Sequence, residues 1–137
     1  MLPRSFKEYS VTDVLINNAG IAVAGYQDRA PQNRWEMLLK LRFFAPKSLT
    51  RLFLPKILER GNGDIVKISS WVGWVDALNL SAYAASKFGL RGFGESLAVE
   101  TAKRNVQVPN VYPSFSRTPI LDSEQIGMVE RKLVPIT

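Results

Sequence analysis

Short apolar runs separated by longer amphipathic stretches set the pattern of this chain. The β-branched and apolar run Val11 to Asn17 ends at Asn18-Ala-Gly20, which predicts a buried strand followed by a tight turn. A second apolar run, Ile65 to Ser69, predicts a second strand. A third strand is predicted from Val106 to Tyr112.

Two long helices are predicted between these strands. Apolar residues recur at helical spacing from about Gln32 to Arg60, and Gly61-Asn-Gly63 ends the pattern. Because proline lacks a backbone N–H, Pro46 and Pro55 are expected to bend or interrupt this helix. The second helix is predicted from about Ser81 to Lys103.

The order strand, helix, strand, helix, strand indicates an α/β fold with about three parallel strands and crossover helices. Ligands of such sheets bind beyond the carboxyl ends of the strands. Asn17 to Gly20, Ser70 and Pro113 to Thr118 all fall at those ends. Residues after Thr118 show only a weak helical pattern. The length predicts a single domain over residues 1–137.

Composition removes several classes of function. The chain has no Cys and no His, which excludes thiol catalysis, disulfides and histidine-based triads or metal sites. Its net charge of +6 is spread along the sequence, so no nucleic-acid partner is expected. No apolar stretch is long enough to span a membrane and no secretory signal is recognisable, which makes the cytoplasm the expected location.

The candidate chemistry lies in the segment Ser81 to Lys87. Tyr83 and Lys87 are four residues apart and therefore share one face of the second helix. A free phenol titrates near ~10, so it becomes a useful general base when a nearby cation favours its ionised form. Ser70, at the end of the second strand, adds a hydroxyl that can meet the same substrate.

Four motifs in this order resemble the short-chain dehydrogenase/reductase family, whose members have a Rossmann fold and move hydride between a nicotinamide cofactor and an alcohol or carbonyl. The matching segments are Asn17-Asn-Ala-Gly20, Ile68-Ser-Ser70, Tyr83-Ala-Ala-Ser-Lys87 and Pro113-Ser-Phe-Ser-Arg-Thr118. The resemblance covers roughly Phe6 to Ile120. It implies a partial Rossmann domain, a doubly wound parallel sheet without its N-terminal βαβ half.

The resemblance also implies a role for each matching residue. Ser70 would hydrogen-bond the substrate oxygen, Tyr83 would donate or accept its proton, and Lys87 would favour the phenolate and hold the nicotinamide ribose. NAD or NADP would be the cofactor, with no basis for choosing between them. The remaining cofactor contacts would come from Asn17, Ala19, Gly20, Pro113 and Thr118.

Three features depart from the family pattern. The Gly-rich phosphate turn is missing, since the first glycine is Gly20. Arg42 occupies the position of the family's catalytic Asn, although a guanidinium only donates hydrogen bonds. The family is thought to use that residue's backbone carbonyl, and Pro46, which has no N–H, offers a way to free it. Ser114 replaces the glycine of the Pro-Gly pair.

Each assignment has a structural alternative. Considered in isolation, Tyr83 would be interpreted as a partly buried packing residue and Lys87 as a surface lysine. Trp71 and Trp74 either line a substrate pocket or cover the core or an interface. By resemblance, the partners would be a small alcohol or carbonyl substrate and a second copy of the chain, packed through the two long helices as a homo-oligomer. The alternative function is a truncated, catalytically inactive protein of the same family that serves in interaction or dimerisation.

Overall fold

A small parallel sheet with helices packed on it forms the centre of the protein. The structure is a computed structural model and describes residues 12–71 and 79–114, with the backbone alone at 125–126. The strands are β1 (Val14–Asn17), β2 (Ala24–Gly25), β3 (Gly63–Ile68), β4 (Val106–Gln107), β5 (Asn110–Val111) and β6 (Gln125–Ile126). The helices are α1 (Gln32–Leu39), α2 (Ala45–Arg60) and α3 (Ser81–Thr101), with a π-helical turn (Lys40–Phe44) between α1 and α2.

The sheet confirms the predicted parallel arrangement. Strand β3 lies at its centre and pairs in parallel with β1 on one side, where Val14 aligns with Asp64 and Asn17 with Lys67. On its other side β3 pairs in parallel with both β4 and β5. Buried and half-buried residues alternate along β3, which indicates that one face of the strand is more deeply buried than the other.

The predicted third strand is two short strands instead of one. Val108 and Pro109 separate β4 from β5, because Pro109 has no N–H to give to the ladder. Its carbonyl still accepts a hydrogen bond from the Lys67 amide at 3.0 Å, so both halves stay on β3.

A second, two-stranded parallel sheet was not predicted. Strand β2 pairs with β6, where Ala24 aligns with Gln125. Both strands have only two residues, too short for a hydrophobic period to register. The helical interpretation of the residues after Thr118 is therefore wrong at Gln125–Ile126, which form a strand.

The first long helix runs over the predicted range but is not a continuous α-helix. The Ala45 amide donates to the Lys40 carbonyl, a bond to the fifth residue back, which defines the π-helical turn. Helix α2 then continues through Pro55 and ends at Gly61, whose φ of 73° satisfies the left-handed cap. The interruption is thus near Pro46, as expected, whereas Pro55 does not end the helix.

Burial on this stretch has a spacing that the π-helical turn explains. Leu38, Arg42, Pro46 and Thr50 are all buried and lie four residues apart. In a continuous α-helix each step of four residues would rotate the side chain by about 40°, moving the last of them well off the core face. The wider π-helical turn absorbs part of this rotation.

Two hydrophobic clusters form the core. The larger joins α2, β3 and α3 to the third strand through the buried residues Ile57, Ile65, Leu97, Val106 and Val108. The smaller contains Val23, Leu38 and Ala82, with Trp35 and Tyr83 packed against it. Within the described residues, no helix is long and apolar enough to cross a membrane.

Candidate active site

Lys87 fixes the position of α3 against the end of the central strand. Its ammonium is buried and donates hydrogen bonds to the carbonyls of Ile68, at 2.6 Å, and Ser69, at 2.8 Å. The Ser69 hydroxyl also lies 3.5 Å from the Lys87 carbonyl. These contacts hold the first turns of α3 at the carboxyl end of β3, where Ser70 follows directly.

Tyr83 lies one turn before Lys87, between two cationic groups. The Lys87 Nζ is 5.8 Å from the centre of the phenol ring, and the Arg42 Cζ is 4.5 Å from it. Both distances are within the range of a cation–π interaction. The half-buried phenol ring is therefore flanked by the side chains of Lys87 and Arg42.

Arg42 is an almost fully buried cation, with only 4% of its surface exposed. Its Nε donates a hydrogen bond to the Ile21 carbonyl, and its guanidinium interacts with the Tyr83 hydroxyl by charge and hydrogen bonding. Its Nη2 is buried and has no hydrogen-bond partner among the residues that the structure describes. Burial lowers the pKa of Arg42, and the contact with Tyr83 opposes that effect.

The Arg42 guanidinium packs directly against the α-carbon of Gly20. A Cβ at Gly20 would lie 2.6 Å from the Arg42 Cζ and 2.8 Å from both terminal nitrogens, so any side chain there would displace the guanidinium. The π-helical turn supplies the other condition, since it turns Arg42 toward the core. The motif glycine and the irregular helix together make room for a buried charge.

The charge of Arg42 in turn affects Lys87. Burial lowers the pKa of Lys87 to about 7, and repulsion from Arg42 adds to the lowering. Lys87 is therefore close to its titration point at neutral pH, whereas a guanidinium stays protonated. Arg42 is the permanent cation of the pair.

The chain matches a family model described as short chain dehydrogenase over residues 2–127. The chain belongs to this family. A curated relative, D-beta-hydroxybutyrate dehydrogenase of Cupriavidus necator, is 30% identical over 137 residues, 99% of this chain and 53% of the relative. The 3-oxoacyl-[acyl-carrier-protein] reductase FabG of Thermotoga maritima is 34% identical, and the alignment covers 85% of this chain and 47% of the reductase.

Solved structures give the same result. A short-chain dehydrogenase from Streptomyces avermitilis superposes with a TM-score of 0.80 at 38% identity, covering 83% of this chain and 43% of its own. A metagenomic short-chain oxidoreductase in complex with NADP has a TM-score of 0.76 at 34% identity, covering 82% and 51%. These matches confirm the predicted partial Rossmann-like fold. The chain spans about half the length of the curated relatives it matches.

The family motifs that the sequence singled out converge at the carboxyl end of the sheet. Ser70 is half-buried beside the Ser69 carbonyl that holds Lys87. Pro113 also comes to this edge, since its carbonyl accepts a hydrogen bond from the Trp71 amide at 3.1 Å. Trp71 itself is 54% exposed and does not cover the core, whereas Trp74 and Thr118 lie outside the described residues.

The first family motif divides between the core and the surface. Asn17 is buried, and within residues 12–71 and 79–114 neither atom of its side-chain amide has a hydrogen-bond partner. Ala19 is exposed, and Gly20 is half-buried against Arg42. At the last motif, Pro113 and Ser114 are both exposed.

Lys67 is a buried cation that the sequence analysis missed. Its side chain is fully buried in the central strand. Its Nζ has no hydrogen-bond partner in the described segments but lies 5.5 Å from the centre of the Phe93 ring. Its strand neighbours are Asn17 on β1 and Asn110 on β5, which also have buried, unpartnered side-chain atoms. The signal available was the lysine at an inward-facing position of the alternating run from Gly63 to Ile68.

The described residues fit one end of a nicotinamide cofactor better than the other. The Lys87 ammonium donates two of its three N–H groups to carbonyls, and the third would suit a ribose hydroxyl next to the Tyr83 phenol. At the first motif, the groove beside Asn17 and Ala19 has a volume of only about 60 Å³ and is lined mainly by apolar side chains. The ribose end has donors, while this groove offers little to a pyrophosphate.

Proposed function

We propose that this chain carries the acid/base part of an NAD(P)-dependent oxidoreductase that converts an alcohol to a carbonyl compound or the reverse. The family membership supports this activity class, and related short-chain dehydrogenase structures hold NADP or NADPH. A third related structure is a xylitol dehydrogenase with bound NAD+, at 22% identity. Either nicotinamide cofactor is therefore compatible with the proposal.

The observation that carries the proposal is the position of Tyr83 between Lys87 and Arg42. A phenol beside these two side chains can accept the proton of a substrate alcohol, and in the reverse direction return it to the carbonyl oxygen. When bound, the nicotinamide cofactor would accept the hydride from the carbon that carries this oxygen, or supply it in the reverse direction. Proton and hydride leave together in oxidation and return together in reduction.

The other site residues have supporting roles in the proposal. Ser70 hydrogen-bonds the substrate oxygen, and the free N–H of Lys87 binds the nicotinamide ribose. Asn17, Ala19, Gly20, Pro113 and Thr118 are proposed cofactor contacts by their match to the family motifs. The Arg42 carbonyl remains a candidate for a relay water, because the π-helical turn breaks the regular α-helical bonding here and Pro46 has no N–H.

The test is a titration of the purified chain with NADPH and with NADH, followed by nicotinamide fluorescence. We expect saturable binding at micromolar concentration that is lost in Lys87→Ala. Lys47→Ala, an exposed lysine of α2, is the matched control and should bind as the wild type does. No binding of either cofactor at millimolar concentration would rule out activity of this chain on its own.

Self-association through the long helices is also part of the proposal. Phe44, Leu49, Phe88 and Val99 are large apolar residues of the π-helical turn, α2 and α3 that are exposed on the single chain. A second copy packed on these helices would cover them. Sedimentation velocity of the wild type and of Val99→Glu measures the oligomeric state directly. A monomeric wild type would contradict self-association. Association without cofactor binding would favour the alternative of an inactive interaction protein.

A further inference from the structure

The guanidinium of Arg42 is a buried charge that has no acidic partner among residues 12–71 and 79–114. Ion pairs in residues 12–71 and 79–114 join Arg29 to Asp28, Lys40 to Glu36, Arg60 to Asp13 and Arg91 to Glu95, and none includes Arg42. Removing a charge from water is costly unless an opposite charge or several hydrogen bonds compensate it. Here one carbonyl and one phenol hydroxyl compensate it in part.

The unpartnered atom is next to the proposed reaction site. Nη2 of Arg42 is buried and donates no hydrogen bond within the described part of the chain, and the same guanidinium contacts the Tyr83 hydroxyl. A guanidinium has a planar, forked set of donors that matches the two oxygens of a carboxylate. Lys87, which is partly protonated at neutral pH, lies 5.8 Å from the centre of the same ring. The local charge therefore favours an anionic ligand in contact with the phenol.

We infer that Arg42 makes this site selective for substrates with a carboxylate, namely 2-oxo or 3-oxo acids and the matching hydroxy acids. The inference rests on the proposed oxidoreductase function and specifies its substrate class. The carboxylate binds Nη2, and the carbonyl or hydroxyl oxygen binds the Tyr83 hydroxyl. Because one guanidinium contacts both groups, the carboxylate belongs to a carbon one or two bonds from the reacting carbon.

The reaction on such a substrate balances with the groups already described. In reduction, the oxo carbon gains the hydride from the reduced nicotinamide, and its oxygen gains the proton of the Tyr83 hydroxyl. The carboxylate is unchanged and serves only for binding and orientation. Arg42 therefore contacts the substrate but transfers no proton, which a guanidinium could not do at neutral pH.

The first experiment compares ligands on the wild-type chain, so that it does not depend on a variant that folds. Calorimetric titrations with acetoacetate and with pyruvate are each compared with the methyl ester of the same acid. We expect each acid to bind about 10- to 100-fold more tightly than its ester, the range for a hydrogen bond to a charged group. Equal affinity of acid and ester would overturn the inference.

Variants then locate the effect. Arg42→Gln should remove the preference for the acid, and Arg42→Lys should keep part of it because a charge remains without the fork. Arg51→Gln, the same change at an exposed arginine of α2, should leave the preference intact. Circular dichroism confirms that each variant is folded. A preference that survives Arg42→Gln in a folded protein would overturn the assignment to Arg42.

Two further arms separate the other sources of an oxyanion. In one outcome, inorganic phosphate displaces NADPH from the wild type but not from Arg42→Gln, and the wild type shows no preference for acids. This outcome would assign Arg42 to cofactor binding and overturn the inference. NADPH is titrated in the same samples. Acid preference without NADPH binding would count against the oxidoreductase while the carboxylate site stands, and NADPH binding without acid preference would count against the carboxylate site alone.

Discussion

Replacing Lys67 by methionine should make the protein more stable at neutral pH. The Lys67 ammonium is fully buried with no hydrogen-bond partner among the described residues, and burial lowers its pKa from 10.5 to about 8. Methionine has a similar length and no charge, so it fills the same space between Asn17 and Asn110. The change thus removes the cost of burying the charge and leaves most of the packing.

The size of the effect follows from the lowered pKa. A tenfold change in proton affinity corresponds to about 1.4 kcal/mol, so lowering the pKa from 10.5 to about 8 costs about 3 kcal/mol when lysine is charged in both states. Methionine also loses the contact with the Phe93 ring, worth up to about 2 kcal/mol. We expect a net gain of about 1 to 3 kcal/mol in the free energy of unfolding at pH 7.

The dependence on pH has a definite sign. Between pH 8 and pH 10.5 the unfolded chain binds more protons at Lys67 than the folded chain does, so the stability of the wild type rises with pH. Below pH 8 the penalty is fully present, and above pH 10.5 it is absent. The advantage of Lys67→Met should therefore be largest near pH 7 and shrink as the pH approaches 10.

Urea unfolding followed by circular dichroism measures both quantities, with linear extrapolation at pH 7, 8.5 and 10. Lys47→Met, at an exposed site, should change stability by less than about 0.5 kcal/mol at each pH. Titrations common to wild type and variant, including that of Lys87, cancel in the difference. A destabilised Lys67→Met at pH 7, or a difference that does not change with pH, would refute the reasoning.

Three further predictions concern the site and its supports. Tyr83→Phe keeps the ring against Arg42 but removes the hydroxyl, so any turnover should fall at least about 100-fold while NADPH affinity changes little; unchanged turnover in a steady-state assay would exclude Tyr83 as the acid/base. Gly94→Ala should destabilise by about 1 to 3 kcal/mol in urea unfolding, because its Cβ would overlap the Asn110 amide, whereas Gly92→Ala, with open space around it, should be neutral or stabilising; equal effects of the two would contradict this packing. Lys87, with its pKa lowered to about 7, should make stability rise with pH between 7 and 10.5, and Lys87→Met should remove that part of the rise in the same pH series.

The regular elements could be predicted because their patterns are long. The helix from Gln32 to Arg60 and the one from Ser81 contain several turns of apolar periodicity, and the strand around Ile65 has a clear alternation. The split third strand and the pair formed by β2 and β6 were not predicted, since a two-residue strand has no period. Their pairing depends on contacts between residues that are distant in the sequence.

The candidate site was predictable in its membership but not in its charges. The spacing of Tyr83 and Lys87 indicated one helix face, and the structure places both beside the end of β3. Nothing in the sequence indicated that Arg42 would stack on Tyr83, because that contact needs the π-helical turn and the bare α-carbon of Gly20. The burial of Lys67 depends in the same way on the helix packed over the sheet.

The division of the core into two clusters has a consequence for how the protein opens. Leu38 belongs to the smaller cluster and Ile57 to the larger, and Arg42 lies between them on the same helical stretch. A buried polar group contributes little apolar cohesion, so the cluster around Leu38 can open without the one around Ile57. Hydrogen exchange should then show α1 and the first turn of α3 as a less protected unit than β3. Substrate entry would need only this local opening, with the sheet intact.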